Sequence, residues 1–355
     1  MRVLLTGGAG FIGTNLAMNF KSKYSSAEVV CFDNLSRRGS EKNLKLLLSH
    51  GIEFIHGDIR VIEDFVDIQG EYDLFIDASA DPSVLTGIYG DAGKVIGNNL
   101  TGTINCLKFA KEYAKLFIFL STSRVYSIDH LRAIPLITNN ERFEVDQAKQ
   151  SILGLASGAI REDFSTRSFR SFYGSCKLAS ELLIEEYAHI YGLDAIINRC
   201  GVLSGEGQWG KTDQGVFTYW VAKHFYKRPL SYTGFGGNGY QVRDLLHPDD
   251  LFVLIDKQAK QKLDTKAPVY NVGGGPSRSV SLQEFTQLCQ TITGNKVDIK
   301  SIEQTNPVDI PYFVTCSDKV SNDYSWTPTI TAEQIVSRIY LWIRNNEKDL
   351  KTLFG

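Results

Sequence analysis

Along the first half of the chain, short continuous apolar runs alternate with longer stretches whose apolar residues recur at helical spacing. Residues 3–6, 28–32, 53–56, 74–77 and 116–120 are runs of four or five positions dominated by Val, Ile, Leu and Phe. Runs this short read as strands in the interior of a parallel sheet. Between them the pattern becomes helical, most clearly over residues 98–113 and again over 173–191, before one more strand-like run at 195–198. Strand–helix alternation predicts an α/β fold, a doubly wound parallel sheet with helices on both faces. Ligands on such sheets sit beyond the carboxyl ends of the strands, so chemistry is expected in the loops there. Residues 127–172 form a long polar connection with weak periodicity, and its length predicts a flap over the site. Beyond residue 199 the alternation breaks into short strands, glycine-rich turns and helices, which read as a second lobe. No repeat or Pro/Ser-rich linker interrupts the chain, so the lobes are expected to pack tightly.

The loop after the first run adds a ligand. Thr6-Gly7-Gly8-Ala9-Gly10-Phe11-Ile12-Gly13 joins that strand to a helical pattern. A glycine loop in this place brings backbone N–H groups and a helix N-terminus against a pyrophosphate. Gly7 allows the tight turn, Gly10 the approach of backbone to phosphate, and Gly13 close packing of the helix on the sheet. The second run ends in Asp33. A carboxylate there accepts from both ribose hydroxyls and repels a 2′-phosphate, which favours NAD. Arg37 and Arg38 follow closely, where a guanidinium can pair with that 2′-phosphate, the alternative to their being solvated or touching another phosphate. These features predict a Rossmann-type dinucleotide-binding domain over 1–198, carrying the insertion at 127–172. A smaller C-terminal α/β substrate lobe is expected over 199–355, with some segments returning to the sheet.

Composition acts mainly by exclusion. With 355 residues, 43% apolar content and a net charge of −2, the chain has material for a real core and no strong field for nucleic acid or membrane. No segment approaches the roughly 20 apolar residues of a membrane span, and no signal-peptide pattern is present. The six cysteines are widely spaced without a C-x-x-C pair. They predict buried free thiols, no metal site and a reducing cytoplasm. His224 and His247 lack metal-spaced partners and read as structural. The stripe Phe217, Trp220, Val221, His224 and Phe225 reads as core.

Tyr173-Gly174-Ser175-Cys176-Lys177 places a phenol and an ammonium four residues apart at the start of a helix, on one face. A nearby ammonium lowers a tyrosine's pKa, and a tyrosine so tuned takes a proton from a sugar hydroxyl near neutral pH. Phe119-Leu120-Ser121-Thr122-Ser123-Arg124-Val125-Tyr126 is a strand end followed by hydroxyls, where a reacting oxygen would be held.

Together the glycine loop, Asp33, the hydroxyl cluster and Tyr173…Lys177 resemble the extended short-chain dehydrogenase/reductases, the group of nucleotide-sugar epimerases and dehydratases. Asn99-Leu100-Thr101-Gly102-Thr103-Ile104-Asn105, Asn271-Val272-Gly273-Gly274-Gly275 and Trp326-Thr327-Pro328 resemble further motifs of that group. Within it, four segments resemble the CDP-paratose (CDP-tyvelose) 2-epimerases: 32–39, 57–60, 213–215 and 237–244. The resemblance implies NAD as cofactor, held by Gly7, Gly10, Phe11, Ile12, Gly13, Asp33, Asn34, Asp58, Ile59, Ala78, Ser79, Ala80 and Asn99, with Tyr173 and Lys177. It implies Thr122, Tyr173 and Lys177 as catalytic residues. Ser123, Arg199, Gln214, Gly215 and Arg243 would bind substrate, Arg243 forking onto a diphosphate. Ser123 would point elsewhere if the strand continues past Thr122.

The implied reaction is C2 inversion of a CDP-linked sugar by transient hydride transfer through a keto sugar. Two departures narrow it. Dehydratases of the group carry Asp-Glu where this chain has Ser123-Arg124, and many UDP-sugar 4-epimerases carry Asn and Tyr where it has Val202 and Ser204. A UDP-hexose 4-epimerase is the alternative reading, and a non-catalytic cofactor-binding scaffold a further one. Asp77 opens the wall segment where an apolar residue or His is usual. The family's habit of pairing two helices per subunit implies a homodimer or homotetramer through 98–113 and 173–191.

Overall fold

Each strand-like run becomes a strand of one seven-stranded, wholly parallel sheet in the computed structural model, which describes residues 1–149, 152–210 and 215–354. The strands are β1 (Arg2–Thr6), β2 (Glu28–Asp33), β3 (Glu53–His56), β4 (Leu74–Asp77), β5 (Phe117–Thr122), β6 (Ala195–Cys200) and β7 (Val269–Val272). Their spatial order is 3-2-1-4-5-6-7. The order reverses between β1 and β4, which opens a crevice at the strands' carboxyl ends. β5 and β6 run further than their apolar runs, staying paired through Cys200 opposite Thr122. Polar residues at these strand ends hide the extension from a hydrophobicity pattern.

Helices cover both faces. On one, Phe11–Lys23 and Pro248–Lys260 bury Leu16, Phe20, Leu251 and Ile255, with the Phe20 and Phe252 rings edge to face at 5.0 Å. On the other, Gly102–Tyr113 and Phe172–Ile190 bury Leu107, Ala110, Ile184 and Ala188 against Phe75, Phe117 and Phe119. The first of these helices is continued backwards by Ala92–Ile96 through a wide turn at Gly97–Thr101, six residues earlier than the periodicity predicts. Pro248–Lys260 and β7 belong to the second half of the chain yet complete the sheet and its cover.

The 127–172 connection differs from the expected flap. It forms a short helix (Ile128–Arg132), a hairpin (Leu136–Asn139 with Arg142–Val145) and a smaller hairpin at Leu155–Ala156 and Ala159–Ile160. Its apolar residues Ile128, Leu131, Val145, Ile160 and Phe164 share a core with Val242, Ile310, Phe313 and Val314 of the second lobe. Backbone bonds from Phe143 to Tyr240, and between Ile160 and both Val314 and Cys316, fasten it further. The segment's apolar residues are spread irregularly, so periodicity hides a core that the segment shares about equally with residues 242–316.

The second lobe packs the helices Val216–Phe225, Leu282–Thr293 and Ala332–Asn345 around Phe217, Trp220, Phe285, Ile335 and Ile339. The last two helices open on capping boxes, Ser281 with Glu284 and Thr331 with Gln334, which satisfy otherwise orphaned N–H groups. His224 is buried with Nδ1 on the Trp220 carbonyl, and buried His247 meets Glu206 through Nε2 at 2.9 Å. All six cysteines are buried and free. Among the described residues no helix is long and apolar enough to cross a membrane, and no cluster of His, Cys, Asp and Glu fits a metal ion.

Candidate active site

One cleft at the carboxyl ends of the strands gathers the glycine loop, the ends of β2, β4 and β5, Tyr173, and residues 201–203, 208 and 215 of the second half. The glycine loop is boxed in on three sides. Gly7 has φ +66, and a Cβ there would lie 2.8 Å from the Ala78 carbonyl oxygen. A Cβ on Gly8 would fall 2.4 Å from that of Cys31, and one on Gly13 only 2.2 Å from the Gly7 oxygen. Gly13 thus seats its helix on the loop itself. Asn43, from the helix Ser40–Ser49, donates to the Ala9 carbonyl at 2.9 Å and steadies the loop. Gly8, Cys31 and Asn43 were invisible as loop supports because nothing in their spacing marks the contact.

Asp33 closes β2 with its carboxylate accepting from Leu35 N–H (2.7 Å) and Ala9 N–H (3.2 Å). Burial is the main influence and raises its pKa, with those two bonds opposing. Each oxygen keeps lone pairs for ribose hydroxyls. Asn34 and Ile59 line the cleft, whereas Asp58 does not. Asp58 is held from behind by Arg60 (2.6 Å) and Asn34 (2.9 Å), and the Arg60 hydrogen bond first of all lowers it to about 2. Ala78, Ser79 and Ala80 form a wall of the cleft. Asn99 does not reach it. Its amide is spent on both the N–H and the carbonyl of Asp81 and on the Val95 carbonyl, and Asn98 faces the cleft instead.

Asp77 anchors the wall segment. It is fully buried and accepts from Thr6 Oγ1 (2.8 Å), Ser79 N–H (3.0 Å), the Ser79 hydroxyl and, more weakly, Thr103 Oγ1 (3.4 Å). It fixes the wall segment from below. The motif helix completes this floor: Gly102 lies flat on Ile59, and Asn105 donates to the Ile59 carbonyl at 2.9 Å.

At the end of β5, Thr122 and Tyr173 both face the cleft. Ser171 caps the tyrosine's helix, accepting from Gly174 N–H at 3.2 Å. The strand stops at Thr122, and residues 123–125 form a tight turn that puts Ser123 and Arg124 into the cleft, so strand alternation does not apply to Ser123. Lys177 is sealed beneath. Its Nζ donates to the Leu120 carbonyl at 3.0 Å and the Ser79 carbonyl at 3.4 Å, and burial lowers its pKa. The expected acidic tyrosine is not what the chain alone provides: burial pushes Tyr173 up to about 12.

The second half contributes unevenly. Gly215, at φ +68, starts the helix Val216–Phe225 and lines the cleft. Gln214 lies outside the described residues. Arg199 turns away, bound to Glu181 at 2.7 Å, Tyr126 Oη at 3.2 Å and the Glu162 carbonyl at 3.1 Å. A guanidinium buried in β6 needs a counter-charge, and Glu181 on the neighbouring helix supplies it. Arg243 is likewise not among the cleft-lining residues. It donates to the carbonyls of Ile310 (2.6 Å) and Val242 (2.8 Å) and pairs with Asp309 at 3.3 Å, and burial lowers it to about 10. Across the mouth, Trp209 lies flat on Gly39 and its carbonyl accepts from Arg37 at 3.4 Å, joining the two lobes. Glycines no Cβ could replace, a ribose-facing carboxylate and a small-residue wall leading to Thr122 and Tyr173 fit a bound NAD.

The model of the NAD dependent epimerase/dehydratase family matches residues 3–273. The CDP-paratose 2-epimerase of Salmonella typhi is 28% identical, over 96% of this chain and 99% of that protein. The UDP-glucuronate 4-epimerase of Thermodesulfobacterium geofontis is 24% identical, over 99% and 98%. The crystal structure of UDP-glucuronic acid 4-epimerase from Bacillus cereus, in complex with UDP-glucuronic acid and NAD, superimposes with a TM-score of 0.78 at 24% identity, covering 97% of this chain and 99% of that one. The chain belongs to the NAD dependent epimerase/dehydratase family, an enzyme whose cofactor is NAD.

Proposed function

We propose that this enzyme inverts C2 of a CDP-linked sugar, a conversion of the CDP-paratose to CDP-tyvelose type. The observation that carries this reading is similarity to a CDP-paratose 2-epimerase along essentially the whole chain, second lobe included. Ser123 and Arg124 in place of an acid–base pair argue against dehydration. Tyr173 takes the proton of the C2 hydroxyl as phenolate. Thr122, which lines the cleft beside the phenol, holds the same oxygen. Bound NAD, held by the glycine loop, Asp33 and the 78–80 wall, would supply the hydride acceptor and donor for that carbon, and its positive ring would favour phenolate. Arg243 holds the diphosphate by exchanging the Val242 and Ile310 carbonyls for phosphate oxygens, so that the keto sugar can turn without leaving. The protein works in the cytoplasm as a homodimer through the helix Phe172–Ile190 and its neighbour, where Leu182 and Ile190 are exposed.

The test is thermal stabilisation of the NAD-loaded protein by CDP, UDP, dTDP and GDP. A ligand at about a hundred times its Kd adds about 2.7 kcal/mol of stability. A shift with CDP alone supports the assignment. A preference for UDP replaces it with the UDP-hexose 4-epimerase reading, and no shift with any of the four counts against both.

A further inference from the structure

We infer that Asp77 is a positioning residue for the cofactor: acting through Ser79, it sets the spacing between the glycine loop and the 78–80 wall that NAD must fit. The inference concerns NAD alone and is independent of the sugar. Asp77 closes β4 and is fully buried, directly after Leu74, Phe75 and Ile76. Burying a carboxylate costs free energy that an apolar side chain in the same place would not. Its partners show what it does there.

One oxygen, Oδ1, gathers three donors: Thr6 Oγ1 at 2.8 Å, Ser79 N–H at 3.0 Å and the Ser79 hydroxyl. Thr6 is the last residue of β1, immediately before Gly7, and its carbonyl accepts from Ala78 N–H at 3.2 Å. A single atom therefore holds both the root of the glycine loop and the middle of the wall. Oδ2 accepts from Thr103 Oγ1 at 3.4 Å, which ties both to the helix Gly102–Tyr113. The buried ammonium of Lys177 interacts with Asp77 and offsets its charge.

Ser79 carries the effect to the cleft, which it lines. Its N–H and hydroxyl both donate to Asp77, and its carbonyl accepts from Lys177 Nζ at 3.4 Å. With its donors committed inside the protein, Ser79 shapes the cleft rather than donating to a ligand. Contact with the glycine loop is direct, since a Cβ on Gly7 would lie 2.8 Å from both the Ala78 oxygen and Ser79 Cα. The loop thus rests on backbone that Asp77 fixes, and a displaced Ser79 displaces Gly7. Binding groups held by such a supporting layer have their geometry set before the ligand arrives.

The test is calorimetric titration of the full chain with NAD, each variant shown by circular dichroism to be folded at the same temperature. Asp77→Leu weakens NAD about tenfold or more, and Asp77→Asn, whose amide oxygen still accepts from Ser79 and Thr6, recovers most of that loss. Ser79→Ala weakens binding by a smaller factor and adds nothing to Asp77→Leu, as expected where one residue acts through the other. Ile76→Val, a core change in the same strand, lowers stability and leaves the affinity within about twofold. Binding within about twofold of wild type in Asp77→Leu overturns the inference, as does an Asp77→Asn protein that binds no better than Asp77→Leu. Effects of Asp77→Leu and Ser79→Ala that multiply overturn it too, and so does a loss in Ile76→Val equal to that in Asp77→Leu. If Asp77→Leu does not fold, Ser79→Ala carries the test, and NAD affinity there equal to wild type overturns the inference.

Discussion

Replacing Gly13 by alanine sets two effects of opposite sign against each other. Gly13 lies in the first turn of the helix Phe11–Lys23. By helix propensity alone, alanine there stabilises by about 0.8–1 kcal/mol. The new Cβ, however, would lie 2.2 Å from the Gly7 oxygen, 2.7 Å from Gly8 Cα and 2.9 Å from the Gly7 carbonyl carbon. Those are backbone atoms, and the shortest contact must open by about 1 Å to reach ordinary van der Waals separation. The loop has little room to yield, since Gly7 already rests on Ala78 and Ser79, and Gly8 on Cys31. Overpacking of this kind costs about 1–3 kcal/mol, which outweighs the propensity gain. The same displacement turns the loop N–H groups away from a pyrophosphate. Each hydrogen bond to a charged group contributes about 1.5–3 kcal/mol, so losing one weakens NAD binding about 10- to 150-fold. Calorimetric titration of Gly13→Ala with NAD measures this. Gly97→Ala is the control, because its Cβ would meet only Arg60 Cδ, at 3.6 Å. A Gly13→Ala protein that is more stable than wild type, and binds NAD within about threefold of it, would refute the reasoning.

Two other changes probe residues that the structure reassigns. Glu181→Gln breaks the buried pair with Arg199, and urea denaturation should register a loss of about 3–5 kcal/mol; a loss of nucleotide affinity at unchanged stability would return Arg199 to substrate contact. Asp58 has a folded pKa of about 2 against an ordinary 3.8, so its stabilising contribution is complete above the ordinary value and fades as pH falls towards the folded one. The stability advantage of wild type over Asp58→Asn should accordingly be full at neutral pH, mostly lost by about pH 2 and absent below it; an advantage that persists undiminished through that range would mean that Asp58 acts through packing.

The sheet was legible because parallel strands buried on both faces are apolar through their middles, as at Val3–Leu5, Val29–Phe32, Leu74–Ile76 and Phe117–Leu120, whereas the partly buried edge strand β3 carries only Phe54 and Ile55 between Glu53 and His56. The glycine loop and Asp33 were legible because their chemistry requires particular residue types in particular places. The partners of Arg199 and Arg243 were hidden because a guanidinium in the sequence carries no sign of what it will pair with. Glu181 lies 18 residues from Arg199 and Asp309 66 residues from Arg243, and only folding brings them together. The facing of Ser123 depends on where β5 ends, and no residue type in the sequence marks that end at Thr122. Arg124 drew notice only as the absence of an acid, while its position beside Thr122 and Tyr173 depends on the turn that follows the strand.

The late arrival of β7 bears on how the chain is made. β6 ends at Cys200, and the strand that covers its outer edge ends at Val272, seventy-two residues later. At about 5–20 residues per second, a ribosome leaves that edge open for roughly 4–14 s. The helix Pro248–Lys260, which shields one face of the sheet, emerges in the same interval. During those seconds β6 presents unpaired N–H and carbonyl groups flanked by apolar side chains, the kind of edge that recruits other nascent chains. Synthesis is therefore this protein's most aggregation-prone period, and truncation between residues 200 and 268 would make that exposure permanent.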